Sequence, residues 1–183
     1  MGDSADASVG RCGILLTQST DMRNLHTLEE AVVPQTRKRL YLDVCTICRP
    51  YDDQDELRMR METDAYYLIL THVQLGRYVM VVSPVHLAEV AALSESTERV
   101  EVQQLLKRVG RDITCSVVAA RKRAEELTAL KLGIADAAHV AYAEMDADVM
   151  ITCDVRLYKQ CKRNGVCIPV FTPVEFAMVE GLE

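Results

Sequence analysis

The chain has 183 residues, of which 49% are hydrophobic, and a formal net charge of −6. That length and composition suit one domain with a sizeable core, and the acidic balance argues against a broadly basic nucleic-acid surface while leaving room for a local one. No apolar run approaches the roughly 20 residues of a membrane helix, and no basic segment leads into an apolar one at the amino terminus, so no membrane association and a cytoplasmic location are expected.

Residues 1–38 carry no sustained hydrophobic period and open on a Gly-, Ser- and Asp-rich run, which reads as a loosely ordered extension. Leu25 to Val33 has the pattern of a short helix. The domain proper is expected over 39–183. Its first strand is Leu40 to Cys45, which places Asp43 at the carboxyl end. A turn over Arg49-Pro50-Tyr51-Asp52-Asp53 follows, and Asp53 or Asp55 is positioned to cap a long amphipathic helix that runs to Gly76. Met59, Glu62, Tyr66, Ile69 and Val73 share a face of that helix, and Glu62 reads as a rim residue.

Tyr78 to Val82 predicts a second buried strand, and Ser83-Pro84 opens a helix to Leu93 that carries Glu89 past its first turn. Glu95 to Val109 is a further amphipathic helix, Ile113 to Val117 a third strand, and Ala119 to Leu132 a helix. Gly133 to Asp154 then reads as helix, tight link and strand. Val155 to Arg163 is a short basic helix, Val166 to Phe171 a last strand and Pro173 to Val179 a closing helix. This alternation predicts an α/β fold with a mostly parallel sheet.

Seven cysteines, at 12, 45, 48, 115, 153, 161 and 167, make an odd count in a chain with a good core, which favours reduced thiols over a disulfide framework. Cys45 and Cys48 have half-zinc spacing, but no second Cys-x-x-Cys or His pair completes a site.

The chemistry concentrates in acids at strand ends and helix starts. A helix of about ten residues from Asp136 advances about 15 Å, and a short strand at about 3.3 Å per residue returns a similar distance to Asp154. Asp136 and Asp154 therefore meet at the edge where Asp43 emerges, which is where open α/β sheets bind ligands. Glu89 is a plausible fourth acid. At an effective dielectric near 20, carboxylates about 6 Å apart repel by roughly 3 kcal/mol, and a hard divalent cation relieves that cost. Mg²⁺ or Mn²⁺ in such a site suits phosphodiester hydrolysis. Thr152, two residues before Asp154, can hydrogen-bond a ligand carboxylate. On spacing alone, Asp136 as a helix cap and Asp154 as a turn residue serve equally well. His139, three residues after Asp136 on the same helical face, either packs beneath the site or takes a metal or acid–base role.

Leu42-Asp43, the Arg49-Pro50-Tyr51-Asp52-Asp53 run, the helix with Glu89, Asp136-Ala137-Ala138-His139-Val140-Ala141 and Ile151-Thr152-Cys153-Asp154-Val155-Arg156-Leu157 together resemble the PIN-domain ribonucleases, most closely bacterial toxin-type members. The resemblance runs from about Lys38 to the carboxyl end. It implies a three-layer α/β/α PIN-like fold and a Mg²⁺- or Mn²⁺-dependent endoribonuclease acting on single-stranded RNA. Asp43, Glu89, Asp136 and Asp154 become the catalytic, metal-holding acids, with Thr152 and Glu62 behind them. A cognate antitoxin protein and a homodimer are also implied. Arg49, Arg156, Lys159 and Arg163 are the candidates for the RNA backbone, because local cations must offset an acidic domain. Two other readings compete. One is a PIN-like module that binds RNA or protein without cutting. The other is a phosphatase of the haloacid-dehalogenase type, which Asp43-Val44-Cys45-Thr46-Ile47 superficially resembles, although Cys45 stands where the general acid belongs.

Overall fold

The structure, a computed structural model, describes residues 36–183. The extension expected over 1–38, apart from its last three residues, and the short helix expected over Leu25 to Val33 lie outside the described residues.

Among the described residues, five short strands form one parallel sheet: β1 (Arg39–Leu42), β2 (Val79–Val82), β3 (Gly110–Asp112), β4 (Val149–Ile151) and β5 (Val170–Phe171), in the order β3-β2-β1-β4-β5. Eight helices connect or flank them: α1 (Val44–Ile47), α2 (Leu57–Gln74), α3 (Pro84–Ala91), α4 (Ser96–Val109), α5 (Val117–Ala129), α6 (Ile134–Asp146), α7 (Val155–Asn164) and α8 (Pro173–Glu180). The central strands are apolar on both faces, as strands sandwiched between helix layers must be. Leu40, Leu42, Met80, Val82, Val149 and Ile151 point into one core with α2, α4 and α8. The intervening Tyr41, Val81 and Met150 point into the other, with α5, α6 and α7. This is the parallel sheet that the alternating pattern predicts, in the three-layer α/β/α arrangement that the sequence resemblance implies. No helix among the described residues is long and apolar enough to cross a membrane.

The sheet has its centre at β1, which pairs with β2 on one side and β4 on the other. The chain winds outward from β1 to β2 and β3, then crosses back to β4 and β5 on the other side, and this topological switch opens a crevice at the carboxyl ends of β1 and β4. Leu42 is in register with Ile151, so Asp43 and Thr152 leave the sheet side by side.

Four expectations are corrected. The first strand ends at Leu42 rather than Cys45, since Val44 and Cys45 already lie in α1. The third strand is Gly110–Asp112, not Ile113 to Val117. It is an edge strand paired only to β2, two of its three residues are exposed, and an edge does not need the apolar run that marked the neighbouring segment. Gly110 is needed there, since a Cβ would lie 2.4 Å from Val82 Cγ2 and 2.5 Å from the Leu106 carbonyl oxygen. The last strand shrinks to Val170–Phe171, because β4 offers only three residues and Pro169 has no N–H to give. Neither Asp53 nor Asp55 caps α2. Glu56 holds that position without a side-chain cap, and Asp53 Oδ1 instead accepts the Asp55 N–H at 3.0 Å.

Candidate functional site

Asp43 is the last residue of the β1 segment before the chain turns into α1, and its own N–H is held by the Ile151 carbonyl at 2.9 Å. It is 6% exposed. Alternation along β1 gives it the same facing as Tyr41, toward α6. Its two carboxylate oxygens are treated differently. Oδ2 accepts the Thr152 hydroxyl at 2.9 Å and the Cys45 thiol at 3.1 Å. Oδ1 takes no hydrogen bond among the described residues and faces His139 Nε2 at 3.7 Å.

His139 is buried on α6 and links two elements. Its Nε2 lies 2.9 Å from Glu89 Oε2 and its Nδ1 lies 2.7 Å from the Tyr41 hydroxyl. Burial disfavours its charged form, but the Glu89 hydrogen bond and the negative charges of Asp43, Glu89 and Asp136 outweigh burial and raise its pKa above the ordinary value. Asp43, Glu89 and His139 each offer a ligand atom within 4.8 Å of the others.

Behind this group the hydrogen bonds continue. The Tyr41 hydroxyl is 2.7 Å from Ser83 Oγ, which is 3.0 Å from His86 Nδ1. His86 Nε2 is 2.7 Å from the Leu42 carbonyl, so it carries the proton there and leaves Nδ1 as acceptor for the Ser83 N–H at 3.0 Å. Burial, with the nearby His139, pushes the His86 pKa down to about 3, and it stays neutral.

Asp154 is the N-cap of α7. Its Oδ1 accepts the N–H groups of Arg156 at 2.7 Å and Leu157 at 3.0 Å, and its own N–H donates to Thr152 Oγ1 at 3.0 Å. One hydroxyl thereby joins Asp43 to Asp154. Asp136 lies in the first turn of α6 without capping it, and its Oδ2 accepts from Arg156 Nη2 at 3.1 Å. Burial raises the Asp136 pKa, Arg156 opposes that, and the charges of Asp154 and Asp43 raise it further, so all three acids share one electrostatic neighbourhood. Gly133 keeps this corner tight, since a Cβ there would meet Asp136 Oδ2 at 2.9 Å.

No protein-family model matches the sequence, and no curated protein matches it. Among solved structures the fold is similar to FitAcB from Neisseria gonorrhoeae, at 18% identity and a TM-score of 0.44 over 73% of this chain and 97% of that one. It is similar to VapBC2 from Rickettsia felis bound to a DNA fragment from their promoter, at 15% identity and a TM-score of 0.49 over 73% of this chain and 98% of that one. A third is FitAB bound to an IR36 DNA fragment, at 20% identity and a TM-score of 0.45 over 74% of this chain and 95% of that one. At TM-scores below 0.5 these likenesses assign no family, and the residues of the sheet edge carry the functional reading.

Two expected roles change with burial. Glu62 is not on a rim: it is 4% exposed, with Oε2 at 3.0 Å from Arg49 Nε and Oε1 accepting Arg58 Nε at 2.8 Å. It reaches the acids only through these arginines, both of which donate to the Cys153 carbonyl, at 3.4 and 3.1 Å, beside Asp154. Arg49, expected on an RNA groove, is itself buried and spends its remaining donors on Asp52 Oδ2 at 2.7 Å. It holds the loop between β4 and α7 instead. Arg156, Lys159 and Arg163 are exposed on α7.

Arg58 and Tyr41 escaped the sequence reading, and Ser83 entered it only as the opening of a helix. Tyr41 left a trace there, being two residues before Asp43 and therefore on the same face of its strand.

Proposed function

We propose that the protein is a metal-dependent endoribonuclease that cuts single-stranded RNA at the carboxyl edge of β1 and β4. The observation that carries this reading is the Asp43 carboxylate. It is buried and fixed through Oδ2 alone, with Oδ1 turned free of hydrogen bonds toward Glu89 and His139. A carboxylate so placed among other acids is costly unless a cation joins it. Carboxylate donors suit Mg²⁺ or Mn²⁺, and Asp43 and Glu89 already lie within 4.8 Å of one another, with Asp136 and Asp154 at the same edge but outside that group. Asp43, Glu89, Asp136 and Asp154 would hold the ion.

Such a cation, when bound, supplies Lewis acidity toward a phosphodiester and its attacking water. The chain does the rest. Thr152 fixes the Asp43 carboxylate and, through the Asp154 N–H, sets the spacing between two of the acids. Arg49, Arg58 and Glu62 pin the loop that carries Asp154. Arg156, Lys159 and Arg163 offer positive charge to an RNA backbone beside an otherwise acidic surface. The sequence resemblance to toxin-type PIN ribonucleases supports the same substrate class, and it makes a cognate antitoxin and a homodimer the partners to look for.

The test is cleavage of a defined set of single-stranded RNAs with Mn²⁺, with Asp43→Asn as the blank. Cleavage by wild type that is lost in the variant supports the assignment. Metal-independent cleavage, or full activity in Asp43→Asn, overturns it. RNA binding with no cleavage in Mn²⁺ would instead select the non-catalytic binding module.

A further inference from the structure

We infer that His139 is itself a metal ligand through Nε2, and that the site therefore prefers Mn²⁺, a cation tolerant of nitrogen donors, to Mg²⁺. The inference rests on the metal-dependent reading above and adds a nitrogen to an all-oxygen donor set.

The geometry supports it first. Two donors about 2.1 Å from one octahedral ion and at right angles stand about 3 Å apart. His139 Nε2 and Glu89 Oε2 are 2.9 Å apart, and Asp43 Oδ1 lies 3.7 Å from the same nitrogen. An ion that displaces the proton between imidazole and carboxylate can be held by these three atoms once the Glu89 carboxylate, whose side chain is 34% exposed, moves off the Nε2 axis. Asp43 Oδ1 is otherwise free of hydrogen bonds, so it loses no partner on binding.

The surroundings of the ring support it second. A ligating imidazole needs its other nitrogen protonated and held by an acceptor. With Nε2 on the metal, Nδ1–H donates to the Tyr41 oxygen, the Tyr41 hydroxyl donates to Ser83 Oγ, and the Ser83 hydroxyl donates to His86 Nδ1. That last atom can only accept, because the His86 proton is committed to the Leu42 carbonyl. The series can thus end on that atom, which it shares with the Ser83 N–H, and so supports the tautomer that metal binding requires. Mg²⁺ takes oxygen ligands and keeps its waters, whereas imidazole suits transition metals.

Electron spin-echo measurements on Mn²⁺-loaded wild type should show modulation from a directly bound imidazole nitrogen, absent from His139→Gln. Calorimetry should show that His139→Gln weakens Mn²⁺ at least about tenfold and Mg²⁺ far less, and that Tyr41→Phe, which keeps the ring in place, weakens Mn²⁺ by about tenfold through the lost support. Should His139→Gln not fold, the wild-type nitrogen signal and Tyr41→Phe still decide. An absent nitrogen signal, or an unchanged ratio of Mn²⁺ to Mg²⁺ affinity in both variants, overturns the ligand assignment. If Asp43→Asn still abolishes binding of both ions, the metal site survives that failure; if wild type binds neither ion, both readings fall.

Discussion

The Thr152 hydroxyl donates to Asp43 Oδ2 at 2.9 Å while accepting the Asp154 N–H at 3.0 Å, so one side chain fixes two acids that come from different strands. Thr152 is fully buried. Thr152→Val keeps the shape and removes both bonds. It should cost about 1–3 kcal/mol of stability and weaken Mn²⁺ binding about 10- to 100-fold. Urea denaturation and calorimetry read the two effects; unchanged metal affinity would show that the hydroxyl serves packing alone.

Asp154 has two duties that substitution can separate. As N-cap it holds two N–H groups of α7, and asparagine caps about as well as aspartate whereas alanine costs about 1 kcal/mol. Asp154→Asn should keep its melting temperature yet lose metal-dependent cleavage, and Asp154→Ala should lose both, with a fall of about 2–4 °C. Retained cleavage in Asp154→Asn would remove this residue from the site.

Glu62 and Arg49 are both buried and 3.0 Å apart. Breaking such a pair from one side strands a charge and costs about 3–5 kcal/mol, whereas replacing both members with apolar groups costs much less. Glu62→Leu should therefore be more destabilising than the Glu62→Leu, Arg49→Met double variant. A double-mutant cycle with no coupling would mean that Asp52 and the Cys153 carbonyl satisfy Arg49 without Glu62.

Glu180 ties the carboxyl-terminal helix to the start of β1 and β2. Burial raises its pKa, but hydrogen bonds from Lys38 and from the Tyr78 hydroxyl, the latter at 2.9 Å, lower it on balance. A carboxyl whose folded pKa is depressed contributes stability above its unfolded pKa, about 4.3, and loses it as pH falls through the folded value. Wild type should exceed Glu180→Gln in melting temperature at pH 7, and the gap should close below about pH 4. A gap that persists at pH 3 would place its origin outside this titration.

Mn²⁺ should raise the melting temperature of wild type. A ligand specific to the folded state adds about 2.7 kcal/mol at roughly a hundredfold excess over Kd, and each kcal/mol moves the midpoint by roughly 2–4 °C in a chain of this size. Asp43→Asn should remove most of the shift. Equal responses from the two proteins would place the cation elsewhere.

The sheet and its acids were legible in sequence for one reason: they lie at junctions. Leu40 to Leu42 is apolar on both faces and ends in Asp43, and Val149 to Ile151 ends the same way three residues before Asp154, so pattern and polarity break together. β3 was illegible because Gly110-Arg111-Asp112 is polar and needs only one partner strand. The burial of Glu62 was hidden because its guanidinium partner lies thirteen positions earlier, across a turn, at a spacing that no helical or strand period links. His139 and Glu89 are separated by fifty positions, and a histidine on an Ala-rich helix has no sequence signature for its partner.

The His139–Glu89 contact bears on the order of folding and of the proposed metal binding. Many small metallo-domains stay unfolded until the ion arrives, because nothing else relieves their crowded ligands. Here a buried imidazole already stands against Glu89, facing Asp43, so part of the repulsion is met from within the polypeptide. Maturation can then run in two stages. On the proposed function, the chain would complete its fold with an internal counter-charge, and the cation would enter a finished crevice by exchange.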